Sequence, residues 1–332
     1  MIPRRRLLAA APLMVAAPWA LTAPAPVQAQ SQGTAFPSRP VTIVVPFGPG
    51  GVADLTARSY GRVMAESLGQ PVVIDNKPGA GGIAATQAVL KAPADGPTLL
   101  LTSNATAVSV HLIKRLPYDV TRDLMPISTL GFFELALVVG ANSRFQSLGE
   151  LIAWGRAHPG KLTFGSITPG STQHLSAVLF RARTGLDAVI VPYKGSPAVI
   201  TAARSGEVDL GFEILSPVLP QLQAKALRAL AVTGPKRFEL LPEVPTALEQ
   251  GVPQYTVDSW NALAAPAGTP TAAIERIRRA AQEASQQPAL RHTLRDLGVK
   301  AQTGSPSELQ ALLASEIRHW GEVVQAARIE PE

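Results

Sequence analysis

An α/β fold with a mostly parallel sheet is predicted by three features of the sequence. Short β-branched runs alternate with stretches of helical periodicity. The lengths of the strands, helices and loops suit a doubly wound sheet. The chain has 332 residues, and the roughly 300 that follow an N-terminal signal suffice for two lobes of ordinary domain size.

The N-terminus reads as an export signal. Arg4, Arg5 and Arg6 form a positive head, residues 7–21 an apolar stretch, and Val27-Gln28-Ala29 a small-residue cleavage signal. Residues 1–29 are therefore expected to be removed near Ala29, with the mature chain starting at Gln30 in the periplasm. The apolar stretch falls short of the ~20 residues a membrane span needs, and Pro12 and Pro18 interrupt it. Arg4-Arg5-Arg6-Leu7-Leu8 resembles a twin-arginine export signal.

Val41-Thr-Ile-Val-Val45 is a buried strand by its unbroken apolar run. Tyr60, Val63, Met64 and Leu68 then recur at helical spacing. Residues 71–75 read as a second strand, 83–90 as a helix and 98–102 as a third strand. The pattern restarts at Glu134. Residues 135–139 are a strand that crosses between lobes, 148–156 a helix and 162–165 a strand. Leu175, Val178, Leu179 and Ala182 mark one helix face. Residues 188–191, 208–212 and 226–232 continue the strands, and 257–265 is a second crossing. Helices over 272–284 and 306–327 return to the first lobe. Leu309, Leu312, Leu313, Ile317 and Trp320 give the last helix one apolar face. Lobe 1 is thus residues 30–133 with 258–332, and lobe 2 is 134–257, with a ligand cleft between them.

The chain has no cysteine, which excludes disulfides, iron–sulfur clusters, cysteine zinc sites and thiol nucleophiles. The formal charge of +6 includes the three signal arginines; without them 27 basic residues face 24 acidic ones. The basic residues are scattered, so no nucleic-acid-binding patch forms. The five histidines lack metal-ligand spacing, and no nucleophile elbow or Walker A sequence occurs. No catalytic residue, metal or cofactor is expected, and a monomer is.

Three glycine-rich loops follow strands and open helices. Pro46-Phe-Gly-Pro-Gly-Gly-Val-Ala-Asp54 is the first. A helix start offers unpaired N–H groups and about half a unit of positive charge, which suits a carboxylate or phosphate. Asp54 stands in the first turn, where helix capping and ligand contact are both open to it. Asn76-Lys-Pro-Gly-Ala-Gly-Gly82 is the second, either a packing turn or a cleft wall. Gly165-Ser-Ile-Thr-Pro-Gly-Ser-Thr-Gln-His174 is the third and lies in the other half of the chain. Ser166, Ser171 and Thr172 can donate hydrogen bonds there, although Ser171 or Thr172 is also a natural N-cap. Loops from both lobes facing across a cleft would grip an anion from two sides.

A second reading is an exported NAD(P)-dependent oxidoreductase. Gly48-Pro-Gly50-Gly-Val-Ala53 fits the dinucleotide fingerprint, and Asp75 ends the next strand at the ribose-binding distance. Pro46 and Pro49 crowd that turn, and no proton-transfer pair follows.

Further phrases complete a family pattern. They are Phe36-Pro-Ser-Arg-Pro40, the first two loops, Gly170-Ser171 with His174-Leu175, Val191-Pro-Tyr-Lys-Gly195, Gly206-Glu-Val-Asp-Leu210, Leu241-Pro-Glu-Val-Pro-Thr246, Trp260 and Ala265-Pro-Ala-Gly-Thr-Pro270. In this order, over nearly the whole mature chain, they resemble the Bug family of periplasmic receptors, which serve tripartite tricarboxylate transporters. The resemblance implies a two-lobe periplasmic-binding-protein (type II-like) clamshell hinged by crossing strands. It implies capture of a small carboxylate (a di- or tricarboxylate, an amino acid or an aromatic acid) for a membrane permease or a sensing partner. The family's binding positions map onto Phe47, Gly50, Gly51 and Asp54, and onto Ser166, Gly170, Ser171 and Thr172. Ser103, Asn104, Lys194 and Gly195 are further cleft residues. Three positions depart from the family pattern: Pro49, Thr168-Pro169, and Glu213, which stands where aspartate is common. A cleft carboxylate repels an anion unless it meets a donor, so Glu213 is expected to influence ligand choice.

Overall fold

The computed structural model describes residues 36–332 except Gly170, Ala327, Arg328 and Glu332. The expected signal peptide and its Ala29 cleavage site lie outside the described residues, as does the candidate site residue Gly170.

The first lobe is built from β1 (Val41–Val45), α1 (Val52–Leu68), β2 (Val72–Asn76), α2 (Ile83–Leu90), β3 (Thr98–Ser103) and α3 (Asn104–Leu112). Strand β1 lies parallel to both β2 and β3, and its central residues are buried. The helical spacing of Tyr60, Val63, Met64 and Leu68 puts all four against this sheet. The Tyr60 hydroxyl donates to the Leu130 carbonyl at 2.5 Å. Helix α1 stops at Gly69, whose φ of +67° makes the left-handed cap that side-chain-bearing residues resist.

Next comes β4 (Leu124–Gly140), 17 residues long and ~55 Å at the usual strand rise. The second lobe follows with α4 (Leu148–Ala157), β5 (Leu162–Ile167), α5 (Thr172–Thr184), β6 (Ala188–Tyr193), α6 (Ser196–Ser205), β7 (Leu210–Ile214), α7 (Leu215–Gln223) and β8 (Leu227–Val232). Its core centres on Phe164, Phe180, Phe212 and Tyr255, whose rings stack edge-on or tilted at 5.4–5.7 Å. On α5, Leu175, Val178 and Leu179 are buried as their spacing requires. Ala182 is exposed, and Thr184 is buried.

Strand β9 (Asp258–Pro266) returns the chain to the first lobe. There α8 (Thr271–Gln286), α9 (Pro288–Asp296), β10 (Val299–Ala301) and α10 (Pro306–Ala326) complete it. The strand order is β2-β1-β3-β9-β4-β7-β5-β6, with β8 and β10 also paired to β4. Within each lobe β1, β2 and β3, or β5, β6 and β7, run parallel. The two crossing strands run antiparallel to their neighbours. The crossing predicted over 135–139 is the second half of β4. Its first half, absent from the sequence reading, pairs with β9 from Leu124 to Glu134; from Leu135 onward β4 pairs with β7 and β8. One strand therefore serves two sheets, and the change occurs at the Glu134–Asp258 cross-strand pair. Among the described residues no helix is long and apolar enough to cross a membrane.

Candidate functional site

The carboxyl ends of both sets of parallel strands meet at this change of partners. In the first lobe, Ser103 at the end of β3 pairs with Asn261 of β9, three residues from Asp258. In the second, Ile214 at the end of β7 pairs with Leu135 of β4, next to Glu134. The loops after β1 and β3, and those after β5, β6 and β7, consequently converge on one crossing, where open α/β sheets bind ligands. Thr233 fixes that crossing. Its hydroxyl donates to Val257 O at 2.5 Å, and its backbone N–H donates to Leu135 O at 3.0 Å.

In the first loop Gly48, Pro49, Gly50 and Gly51 are exposed, and Phe47 is half-buried against the core. Gly50 has φ +82° and open space where a side chain would be, so the turn requires glycine and leaves its backbone accessible. Helix α1 starts at Gly51 without a side-chain cap, which leaves N–H donors for an anion. Asp54 is buried. One carboxylate oxygen accepts from Gly50 N at 2.8 Å and from Arg58 Nε at 3.0 Å, and the other has no partner. Burial pushes its pKa up, but the Arg58, Gly50 and Asn76 hydrogen bonds outweigh this and hold the carboxyl below its ordinary range. Asp54 thus holds the turn whatever else it does. Asn76 of the second loop braces the first, donating to Phe47 O at 3.0 Å and accepting from Arg58 at 3.1 Å. Asp75, the ribose-binding acid of the dinucleotide reading, pairs with Lys77 at 3.0 Å.

Ser103 caps α3 and Ser171 caps α5; their hydroxyls accept from Ala105 N and His174 N. Asn104 is buried and links several elements. Its amide nitrogen donates to Asp258 O at 3.0 Å and Glu316 at 3.3 Å, and its oxygen accepts from Ser259 Oγ and Trp260 N, both at 3.2 Å. Ser259 also meets Thr172 Oγ1 at 3.3 Å. The chain Asn104–Ser259–Thr172 therefore joins the start of α3, the crossing strand and the start of α5. Ser166 is buried and donates to the Ile167 carbonyl at 3.1 Å. Lys194 is exposed, and Gly195 starts α6 without a side-chain cap.

Glu213 is fully buried at the end of β7. Its Oε1 accepts from Gln173 Nε2 at 2.8 Å and from Ile214 N at 2.9 Å, while Oε2 has no partner. Burial pushes its pKa up to about 7, against the opposing pull of Gln173, Ile214 and Ser196. At the crossing, burial and the facing Asp258 push Glu134 up to about 7, with the Gly234 N–H and Lys300 opposing. Burial also raises Asp258 and Glu316.

Among the polar residues of this region that escaped the sequence reading are Gln173, Ser259 and Asn261. Asn261 is 1% exposed and neither of its amide atoms has a partner. Asn261 had a local signal, since a polar residue inside an apolar strand needs a reason. Gln173 and Ser259 had none, because their partners lie 40 and 155 residues away.

Comparisons with known proteins agree with this architecture. The family model for the tripartite tricarboxylate transporter family receptor matches residues 56–329. Protein BugT of Bordetella pertussis is 38% identical over 303 residues, 91% of this chain and 92% of BugT. The structure of R. palustris Rpa4515 with adipate is 35% identical with a TM-score of 0.83, covering 90% of this chain and all of that one. MatC from Rhodopseudomonas palustris with bound malate is 32% identical with a TM-score of 0.79, covering 87% and 100%. The two-lobe clamshell is thus the fold, and none of these matches supports the dinucleotide reading.

Proposed function

The chain belongs to the tripartite tricarboxylate transporter receptor family, and from that premise we propose that it is a non-enzymatic periplasmic receptor that closes its lobes on a small carboxylate. The observation that carries this is the convergence of five strand-to-helix loops on one crossing. There α1, α6 and α7 begin without side-chain caps. Uncapped helix starts attract carboxylates through their free N–H groups and dipoles. Phe47, Gly50, Gly51, Ser103, Ser171 and Thr172 lie around that crossing, with Lys194 and Gly195 at the lip of the second lobe. Adipate and malate, bound by relatives of similar fold, are the first ligands to try.

The lobes divide at residues 133/134 and 257/258, so bending is concentrated where β4 changes partners. The captured ligand passes to a membrane permease of the tripartite type or to a sensing partner. Export ends with cleavage at Ala29, which N-terminal sequencing of the mature protein checks.

Thermal denaturation of residues 30–332 with adipate, malate and a panel of carboxylates tests the function. Ligand at a hundred times its Kd stabilises by about 2.7 kcal/mol, and Tm rises with its concentration. A panel in which no carboxylate raises Tm refutes the receptor reading.

A further inference from the structure

Two carboxyls face each other where the lobes join. Glu134 of β4 and Asp258 of β9 are direct cross-strand partners at the point where β4 leaves one sheet for the other. Both are half-buried, and Glu134 Oε2 has no hydrogen-bond partner. The Glu134 carboxyl meets parts of both lobes. Lys300 of β10, in the first lobe, acts on it. Gly234, just after β8 in the second, lies so close that a side chain there would overlap it. Thr233, the residue before Gly234, bonds the backbone of Leu135 and Val257, the neighbours of Glu134 and Asp258. The acid pair therefore sits inside the set of bonds that a hinge motion must bend.

Little offsets the charge of this pair. Besides Asp258, the groups acting on Glu134 are the Gly234 N–H and Lys300, which is exposed and therefore screened. Apart from burial, Asp258 is acted on by its own N–H and by His319 of α10, and it acts in turn on Glu316 of the same helix. Burial, aided by Arg183 of α5, holds the pKa of His319 below its ordinary value against the pull of Glu322 and Asp258. That histidine is uncharged at pH 7 and above and does not neutralise the pair.

Closing the cleft on a carboxylate changes this balance in one direction. The ligand brings a further negative charge to the crossing on which the loops converge. Closure also removes water, and repulsion between like charges grows as the local dielectric falls. Both effects disfavour two ionised carboxylates and favour a proton on the pair.

We propose that the Glu134–Asp258 pair is a proton-linked hinge, in which lobe closure on an anionic ligand takes up a proton from solvent. Glu134 is a positioning residue, acting through the angle between the lobes. This rests on the receptor reading above and adds its regulation. With the Glu134 carboxyl pushed up to about 7, capture is tightest below pH 7 and weakens as pH rises above it.

Calorimetry with adipate and with malate at pH 6 and pH 8.5, on the wild type and on Glu134→Gln, tests this. In the wild type Kd should rise about fivefold or more across that range, the size of a typical coupling between two sites. Binding at pH 8 should take up protons, read from the dependence of the heat on buffer ionisation enthalpy. Glu134→Gln should match the wild type at pH 6, keep that affinity at pH 8.5 and take up fewer protons. Comparing the two removes the contribution of Glu213, which both contain. Asp258→Asn should flatten the pH profile in the same way, and takes the place of Glu134→Gln if that variant does not fold. A second arm needs no ligand. Small-angle scattering of the free wild type should give a larger radius of gyration at pH 8.5 than at pH 6, and the variant one radius at both. Wild type and variant with the same pH profile and the same proton uptake overturn the hinge proposal and leave the receptor reading standing. So does a variant weakened equally at both pH values, which marks Glu134 as merely structural. If no carboxylate binds, the receptor reading fails, and a free-protein radius that is flat with pH then overturns the hinge proposal as well.

Discussion

Asn104 uses its whole amide, with two donations and two acceptances, to hold α3, β9 and α10 together beside the cleft. Asn104→Leu leaves the buried Trp260 N–H without its acceptor and takes one partner each from the Asp258 carbonyl, Glu316 and the Ser259 hydroxyl. It should cost about 1–3 kcal/mol of stability, read as a lowered Tm. Asp54 acts similarly in the first loop. Its carboxyl is held below the ordinary range by Arg58 and Gly50, so its contribution is present at neutral pH and is lost as pH falls through the folded pKa. Asp54→Ala should be less stable than wild type at pH 7, and the two should converge in acid. Urea midpoints across pH 3–7 check this. Asn104 and Asp54 were both marked from sequence as site residues, Asp54 by its place at a helix start and Asn104 by its place after the third strand. The bonding of Asn104 was not legible, because its partners lie more than 150 residues away.

At the scale of elements, the crossing strands place Glu134 directly opposite Asp258. Like charges in that position destabilise a sheet, and burial adds to the effect. Glu134 keeps its proton to about pH 7 in the folded state and only to 4.5 without these influences. Over that window the folded state binds more protons, so this pair makes stability fall as pH rises from about 4.5 to 7. Glu134→Gln should flatten that fall and raise Tm at pH 8 by roughly 2 °C for each kcal/mol recovered. A Tm of the variant below that of wild type at pH 8 would show instead that the ionised carboxylate is needed there.

Most elements were legible from apolar periodicity, including the extents of β1, α2 and α8 to within two residues. Helices α3, α6, α7 and α9 and the short strand β10 were not. In α7, Pro217 and Pro220 conceal the helix. Pro217 falls in the first turn, where its missing N–H costs nothing. Pro220 is carried by the burial of Leu215, Val218 and Leu219 against the second lobe. Tertiary packing overrides propensity there.

At the scale of the whole molecule, two lobes joined by β4 and β9 form a hinge-bending frame. Small-angle scattering should show a smaller radius of gyration when a binding dicarboxylate is added. An unchanged radius at saturation would mean that the lobes are already closed.

The sequence by itself determined the α/β class, the two-lobe plan, the family and the glycine turns of the cleft. Each of these is written in local patterns, namely apolar period, β-branched runs and residues able to adopt positive φ. Only the tertiary structure decided that β4 serves both sheets, that Asn104, Ser259 and Thr172 join the lobes, and that one oxygen of Glu213 is left without a partner. Those facts depend on pairings between distant segments and on burial, and burial sets whether a carboxyl keeps its proton.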